Sequence, residues 1–208
     1  MPEQTFFNLP EEKREKITQA AMDEFAGRSF HQARITAIIE KAGIARGSFY
    51  QYFEDKKDLF KYIIELCVGE KLKYINQDMI KNRDKYGFFE LLREIYLSGI
   101  RFAMEQPRLL AIGNKLLKDK ELQQEVWGEH HDTSTEFFKE LLEEGLKKDE
   151  LDPAIDVEVV SKLLTGLNYS LIDIIYKEDK IDQEVLEEGM EEIDKMIYFI
   201  ENGIKKKE

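Results

Sequence analysis

The sequence predicts an all-α protein, and three observations carry that prediction. Apolar side chains recur at spacings of three and four residues along most of the 208-residue chain. Twelve glycines and four prolines leave few places for the tight turns that all-β folds need. The stretches between periodic segments are short and polar, or carry a proline, as from Asp149 to Pro153. With 42% hydrophobic and 11% aromatic residues the chain can fill a core and is not of the disordered class.

Pro10 followed by Glu11 and Glu12 reads as a helix start, because proline suits the first turn and carboxylates there complement the helix dipole. Ile17, Ala20, Ala21 and Phe25 then form one apolar stripe, and Gly27 ends it. A second, short helix carries Ile35, Ile38, Ile39 and Ala42 and is stopped by Gly43. A third, over residues 45 to 52, turns Phe49 and Phe53 inward. Two short helices divided by a glycine turn suggest a helix-turn-helix. Lys56 to Met79 reads as one long helix whose apolar face holds Leu59, Phe60, Ile63, Ile64, Cys67 and Val68. Further helices are expected over residues 87–105, 108–117, 121–147, 156–177 and 184–204.

The net charge of −12 is unevenly spread. Residues 1 to 62 carry ten Lys/Arg and ten Asp/Glu, so the whole excess of acid falls on the remainder. That pattern suits a chain whose N-terminal end faces a polyanion and whose acidic body is repelled by it. The lone Cys67 excludes an intramolecular disulfide and suits a reducing compartment. Nothing near Met1 reads as a secretion signal and no run of 18 apolar residues occurs, so a cytoplasmic chain with no membrane partner is expected. No phosphate-binding glycine loop or nucleophile elbow is present, which argues against an enzyme, and no cofactor is expected. The pair His130-His131, flanked by Glu129 and Asp132, invites a metal reading, but helix neighbours point about 100° apart and no HxxxH or ExxH pair accompanies them, so no metal is expected.

The stretch from Phe30 to Phe60, FHQARITAIIEKAGIARGSFYQYFEDKKDLF, places Ile38, Ala42-Gly43-Ile44, Gly47, Tyr50, Phe53, Lys56 and Leu59 at a spacing that resembles the N-terminal signature of TetR/AcrR transcriptional regulators. The likeness covers roughly residues 10 to 65. It implies a three-helix DNA-binding domain over residues 1–55 and a helical ligand-binding and dimerisation domain over 56–208. It also implies that Tyr50, Tyr52 and Lys56 contact the backbone of double-stranded DNA. The residue types add to this: Gly47 permits close approach to the groove, Arg46 suits phosphate or a guanine edge, and Gln51 suits adenine. Arg34, Thr36 and Ser48 complete the expected contact set. Three positions depart from the family pattern: Ala33-Arg34 replaces the usual Thr or Ser before the second helix, Ala45 is a poor cap for the third, and Tyr52 stands where histidine is common.

Residues 163 to 176 are apolar nearly all round, so that helix must be buried on several sides. Gly166 and Ser170 permit a close crossing. With Ile193, Met196, Ile197 and Ile200 of the last helix they suggest a four-helix interface in a homodimer, as the resemblance implies; an ordinary intrachain core is the alternative. Such a dimer reads a palindromic operator whose half-sites lie about 34–36 Å apart. The resemblance further implies a repressor released by a small-molecule effector of unknown identity. Tyr96, Phe102, Met104, Trp127, Phe137, Asn168, Tyr169 and Asp173 are candidate lining residues because they combine apolar walls with a few polar groups. The competing function is a helical small-molecule carrier or protein-interaction module without DNA binding, which would ignore duplex DNA at every salt concentration.

Overall fold

The computed structural model describes residues 1–127, 133–175 and 183–206. Among them the chain is helical, with an isolated antiparallel bridge between Leu151 and Lys205. The helices are α1 (Gln4–Phe7), α2 (Glu11–Gly27), α3 (Ile35–Ala42), α4 (Arg46–Tyr52), α5 (Lys56–Lys73), α6 (Gln77–Lys81), α7 (Phe88–Glu105), α8 (Pro107–Leu117), α9 (Lys120–Trp127), α10 (Thr133–Lys147), α11 (Val157–Ile175) and α12 (Gln183–Ile204), with a 3-10 turn at Arg83–Lys85.

The chain forms two compact units: Met1–Glu70 with Gln106–His131, and Lys71–Glu105 with Asp132–Glu208. The division lies inside α5, between residues 70 and 71, where the sequence suggested 55 and 56. In the first unit α2 buries Ile17, Ala20, Ala21 and Phe25, the stripe its periodicity predicts, and packs against α3 and α8. Gly43 closes α3 in the left-handed region at φ +66°, and the N–H groups of Gly43 and Ile44 return to the carbonyls of Glu40 and Ile39 at 3.3 and 3.2 Å. This double hydrogen bond is the Schellman closure that glycine makes without strain. Pro107 opens α8, whose Lys115 ammonium donates to the Phe25 carbonyl at 3.3 Å, near the end of α2.

The second unit is built on α7, α10, α11 and α12 around Phe88, Leu92, Ile95, Tyr96, Phe138, Leu142, Leu164, Ile193, Ile197 and Ile200. Glu150 fixes the start of α7 by accepting the Phe88 N–H at 2.6 Å.

Two sequence expectations are corrected here. The long helix from Lys56 stops at Lys73 instead of reaching Met79, because Asn76 caps a new helix: its side chain accepts from the N–H groups of Asp78 and Met79 at 3.0 and 3.3 Å. Of the helix expected over residues 121–147, the described residues give α9 up to Trp127 and α10 from Thr133. Ile193, Ile197 and Ile200 are 0%, 8% and 6% exposed within the single chain, and Met196 packs against the same core. Their stripe at i, i+4 and i+7 is therefore an intrachain face, and it is not available to a second subunit.

A Gly43→Ala variant should lose about 1–2 kcal/mol, the cost of a Cβ in the left-handed region, and a urea melt monitored by circular dichroism should show the transition at lower denaturant. An unchanged midpoint would mean that the turn relaxes.

Candidate nucleic-acid interface

Helix α4 spans two turns, and its faces are sharply divided. Phe49 and Phe53 are fully buried, while Arg46, Gly47, Tyr50 and Gln51 are exposed and Ser48 is half-buried. From α3 and the residue before it, Thr36 and Arg34 are exposed as well. Between the two helices lies an open depression of about 230 Å³ lined by Ala33, Ile35, Thr36, Arg46, Tyr50 and Lys56. Four of the nine sequence-predicted contact residues thus line one concavity.

Neither short helix has a side-chain cap of its own. Glu24 of α2 holds the start of α3 in another way, as the carboxylate of a capping box does: it accepts the N–H of Arg34, the N-cap residue, at 3.0 Å and pairs with Arg28 at 3.3 Å. Periodicity gave no sign of this, since Glu24 lies ten residues upstream on another helix.

Lys56 is more constrained than expected. Its ammonium donates to the carbonyls of Phe30 and Ala33 at 2.7 and 3.0 Å and stands 4.6 Å over the Phe30 ring. Desolvation pulls its pKa below the usual lysine value, and the Glu24 carboxylate partly opposes that. Lys56 therefore clamps the loop before α3, and a phosphate contact would compete with those carbonyls for its donors.

Tyr52 is corrected outright. It is 6% exposed, its ring lies 6.3 Å from that of Phe6, and the Lys13 ammonium stands 5.9 Å over it. Positions 49, 52 and 53 share one face of a helix, and α1, which the sequence did not reveal, covers that face. Its ring therefore serves the core beneath α4 and does not face the same way as Tyr50.

Several charges of the first unit are paired. Asp23 pairs with Lys41 and Arg108, each at 2.7 Å, and Lys41 leads in holding its carboxyl below the usual range. Glu125 pairs with Lys57 at 2.6 Å and Asp119 with His31 at 3.0 Å. By contrast, the side chains of Arg34 and Arg46 make no ion pair among the described residues, so their charge is free for an external anion.

Gly47 is informative because the protein does not need it: a Cβ built there meets nothing within 4 Å, and its φ is not left-handed. An exposed helical glycine costs stability relative to alanine. A requirement for it must come from something that approaches from outside.

The candidate effector residues differ in burial. Tyr96 and Phe102 are buried and Phe137 half-buried in the second unit, and Asn168 is buried on α11. Burial pushes the Tyr96 hydroxyl pKa up, and the group donates to the Leu164 carbonyl at 3.2 Å. Met104 is 41% exposed at the end of α7, so it walls no enclosed space. The side chains of Trp127, Tyr169 and Asp173 lie outside the described residues, and so do Glu129, His130, His131 and Asp132. Gly166 and Ser170 are exposed on α11, where the Ser170 hydroxyl donates to the Gly166 carbonyl at 3.0 Å.

Residues 17–63 match the sequence model of the bacterial regulatory proteins of the tetR family. A TetR family transcriptional regulator from Chloroflexus aurantiacus, of known crystal structure, is 32% identical, covers 100% of both chains and superposes with a TM-score of 0.74. The transcriptional regulator UidR of Escherichia coli is 26% identical over 191 residues, 85% of this chain and 88% of its own. YdgC of Bacillus subtilis, an uncharacterised helix-turn-helix regulator, is 42% identical over 53 residues, 26% of this chain and 27% of its own. With its outward arginines, its buried anchor and full-length likeness of this order, the chain belongs to the TetR family and is a DNA-binding transcriptional regulator.

Proposed function

We propose that the chain is a cytoplasmic repressor that binds a palindromic operator as a homodimer and leaves it when a small molecule fills a site in the second unit. The observation that carries the DNA contact is the division of α4. Arg46, Gly47, Tyr50 and Gln51 face outward beside Thr36 and Arg34, while Phe49 and Phe53 hold the helix from behind. Arg46 and Gln51 are read as base-edge contacts, and Arg34 and Tyr50 as phosphate contacts. The buried Cys67, whose thiol pKa burial pushes up to about 12, has no reactive role.

The dimer reading keeps Gly166 and Ser170 of α11 and, on α12, passes from the buried isoleucine stripe to exposed residues. On α11, Val159 and Leu163 are 52% and 60% exposed, in line with Gly166 and Ser170 at i, i+4, i+7 and i+11; on α12, Tyr198 and Phe199 are 70% and 77% exposed. Large apolar groups left this open are the usual mark of a subunit contact. For the effector, Tyr96, Phe102, Phe137 and Asn168 remain candidates: aromatic walls with a buried amide suit a mainly apolar molecule with one polar group. Such a molecule releases DNA only by its preference for the conformation that misfits the operator.

Fluorescence anisotropy against duplexes selected from a randomised pool tests the DNA contact. Binding should weaken steeply with salt, and Arg46→Ala should cost about 1–3 kcal/mol; no binding to any duplex would favour the carrier reading. Gly47→Ala should raise the melting temperature or leave it unchanged, through a gain of up to about 1 kcal/mol in helix propensity, yet weaken DNA binding. Unimpaired binding by that variant would place the groove elsewhere. Phe199→Glu should sediment as a monomer with its helical circular dichroism intact, and a persistent dimer would reject the α11–α12 face.

A further inference from the structure

We infer that the N-terminal segment from Glu3 to Phe7 is a positioning element of the recognition helix, a strap that closes the C-terminal end of α4 from the protein side. The inference rests on the reading of α4 as the helix that meets DNA, and it assigns a role to a segment outside the helix-turn-helix.

The need for a strap follows from the length of α4. Seven residues make two turns, too few to hold a helix in water without help, and Ala45 offers no side-chain cap at the start. The last four carbonyls of any helix lack partners within it. In α4 these belong to Phe49, Tyr50, Gln51 and Tyr52. Phe49 is satisfied by the N–H of Phe53 at 2.9 Å. The strap satisfies two more: the Glu3 N–H donates to the Tyr52 carbonyl at 2.9 Å, and the Thr5 hydroxyl donates to the Gln51 carbonyl.

Phe6 is what holds the strap down. It is fully buried, with its ring 4.8 Å from that of Phe53 and 5.2 Å from that of Tyr62 on α5. Arg14 of α2 donates to the Phe7 carbonyl at 3.1 Å. The strap thereby joins α2, α4 and α5 beneath the recognition helix, and its polar bonds end on the backbone of Gln51 and Tyr52. Tyr50 and Gln51 are the outward residues nearest that end. Freeing the two carbonyls would let the last turn unwind and spoil the pose of both side chains without removing any group that touches DNA.

Two conservative changes test this. Glu3 sits at φ −66° and ψ 154°, a conformation that proline adopts, so Glu3→Pro deletes the N–H without strain, and Glu3→Ala, which keeps the N–H, controls for the lost carboxylate. Thr5→Val deletes the hydroxyl at nearly constant shape. Hydrogen exchange read by mass spectrometry should show α4 of the double variant exchanging roughly tenfold faster, with α2 and α3 unchanged. Affinity for a duplex selected by the wild-type protein should fall roughly five- to tenfold, with sedimentation unaltered. Wild-type exchange in α4 would overturn the strap, as would faster exchange spread evenly over α2 and α3, or wild-type affinity despite a loosened α4. If the wild-type protein selects no duplex, the DNA reading fails, and exchange in α4 still decides whether the strap holds the helix.

Discussion

The hold that Phe49 and Phe53 exert on α4 is the contact on which the outward face depends. Two buried phenyl rings stabilise by roughly 1.5–3 kcal/mol each, which is large against the stability of a two-turn helix with no side-chain cap of its own. With those rings inward, Gln51 falls on the opposite side of the helix, while Arg46 and Tyr50 flank the anchor and are exposed. The rest of the first unit is arranged to keep the anchor in place: Leu59, Phe60 and Ile63 of α5 and the α2 stripe fill the core of that unit, Gly43 sets the turn into α4, and Lys56 pins the loop that leads into α3.

Much of this was legible in the sequence, because it depends on short-range patterns. The inward pairing of Phe49 with Phe53, the glycine closure of α3 and the stripe of α2 each follow from spacing within a dozen residues. What the sequence concealed depends on contacts between distant segments. Tyr52 is indistinguishable from Tyr50 by residue type, and only the presence of α1 makes it a core residue. Lys56 reads as a free cation until the carbonyls of Phe30 and Ala33, more than twenty residues upstream, come within hydrogen-bond reach. The break in the long helix was signalled weakly by Asn76, a residue tolerated in helices and favoured at their starts, so its capping role could not be separated from an exposed helical position.

The apolar positions of α12 illustrate a different ambiguity. Ile193, Ile197 and Ile200 repeat at helical spacing whether they face their own chain or a second one, and periodicity reports burial without saying against what. Tyr198 and Phe199 are apolar too, yet they are exposed, so residue type alone does not separate them from the buried stripe. A helix with one apolar stripe needs one neighbour. For α12 that neighbour is its own chain, and Tyr198 and Phe199 lie outside the stripe.

The distribution of charge reconciles a strongly acidic protein with a polyanionic partner. Net charge acts at long range and is screened over about a Debye length, roughly 8 Å at physiological salt, so a DNA contact depends on the few cations at the surface and not on the sum over the chain. In the first unit Asp23, Glu24, Asp119 and Glu125 are tied to Lys41, Arg108, Arg28, His31 and Lys57. Exposed pairs of this kind add little to stability. They neutralise those cations, whereas Arg34 and Arg46 make no ion pair among the described residues; Arg34 directly precedes α3 and Arg46 lines the depression between α3 and α4. The acidic excess lies outside residues 1 to 62, so the stretch that carries Arg34 and Arg46 is itself neutral and does not add to the repulsion of a polyanion.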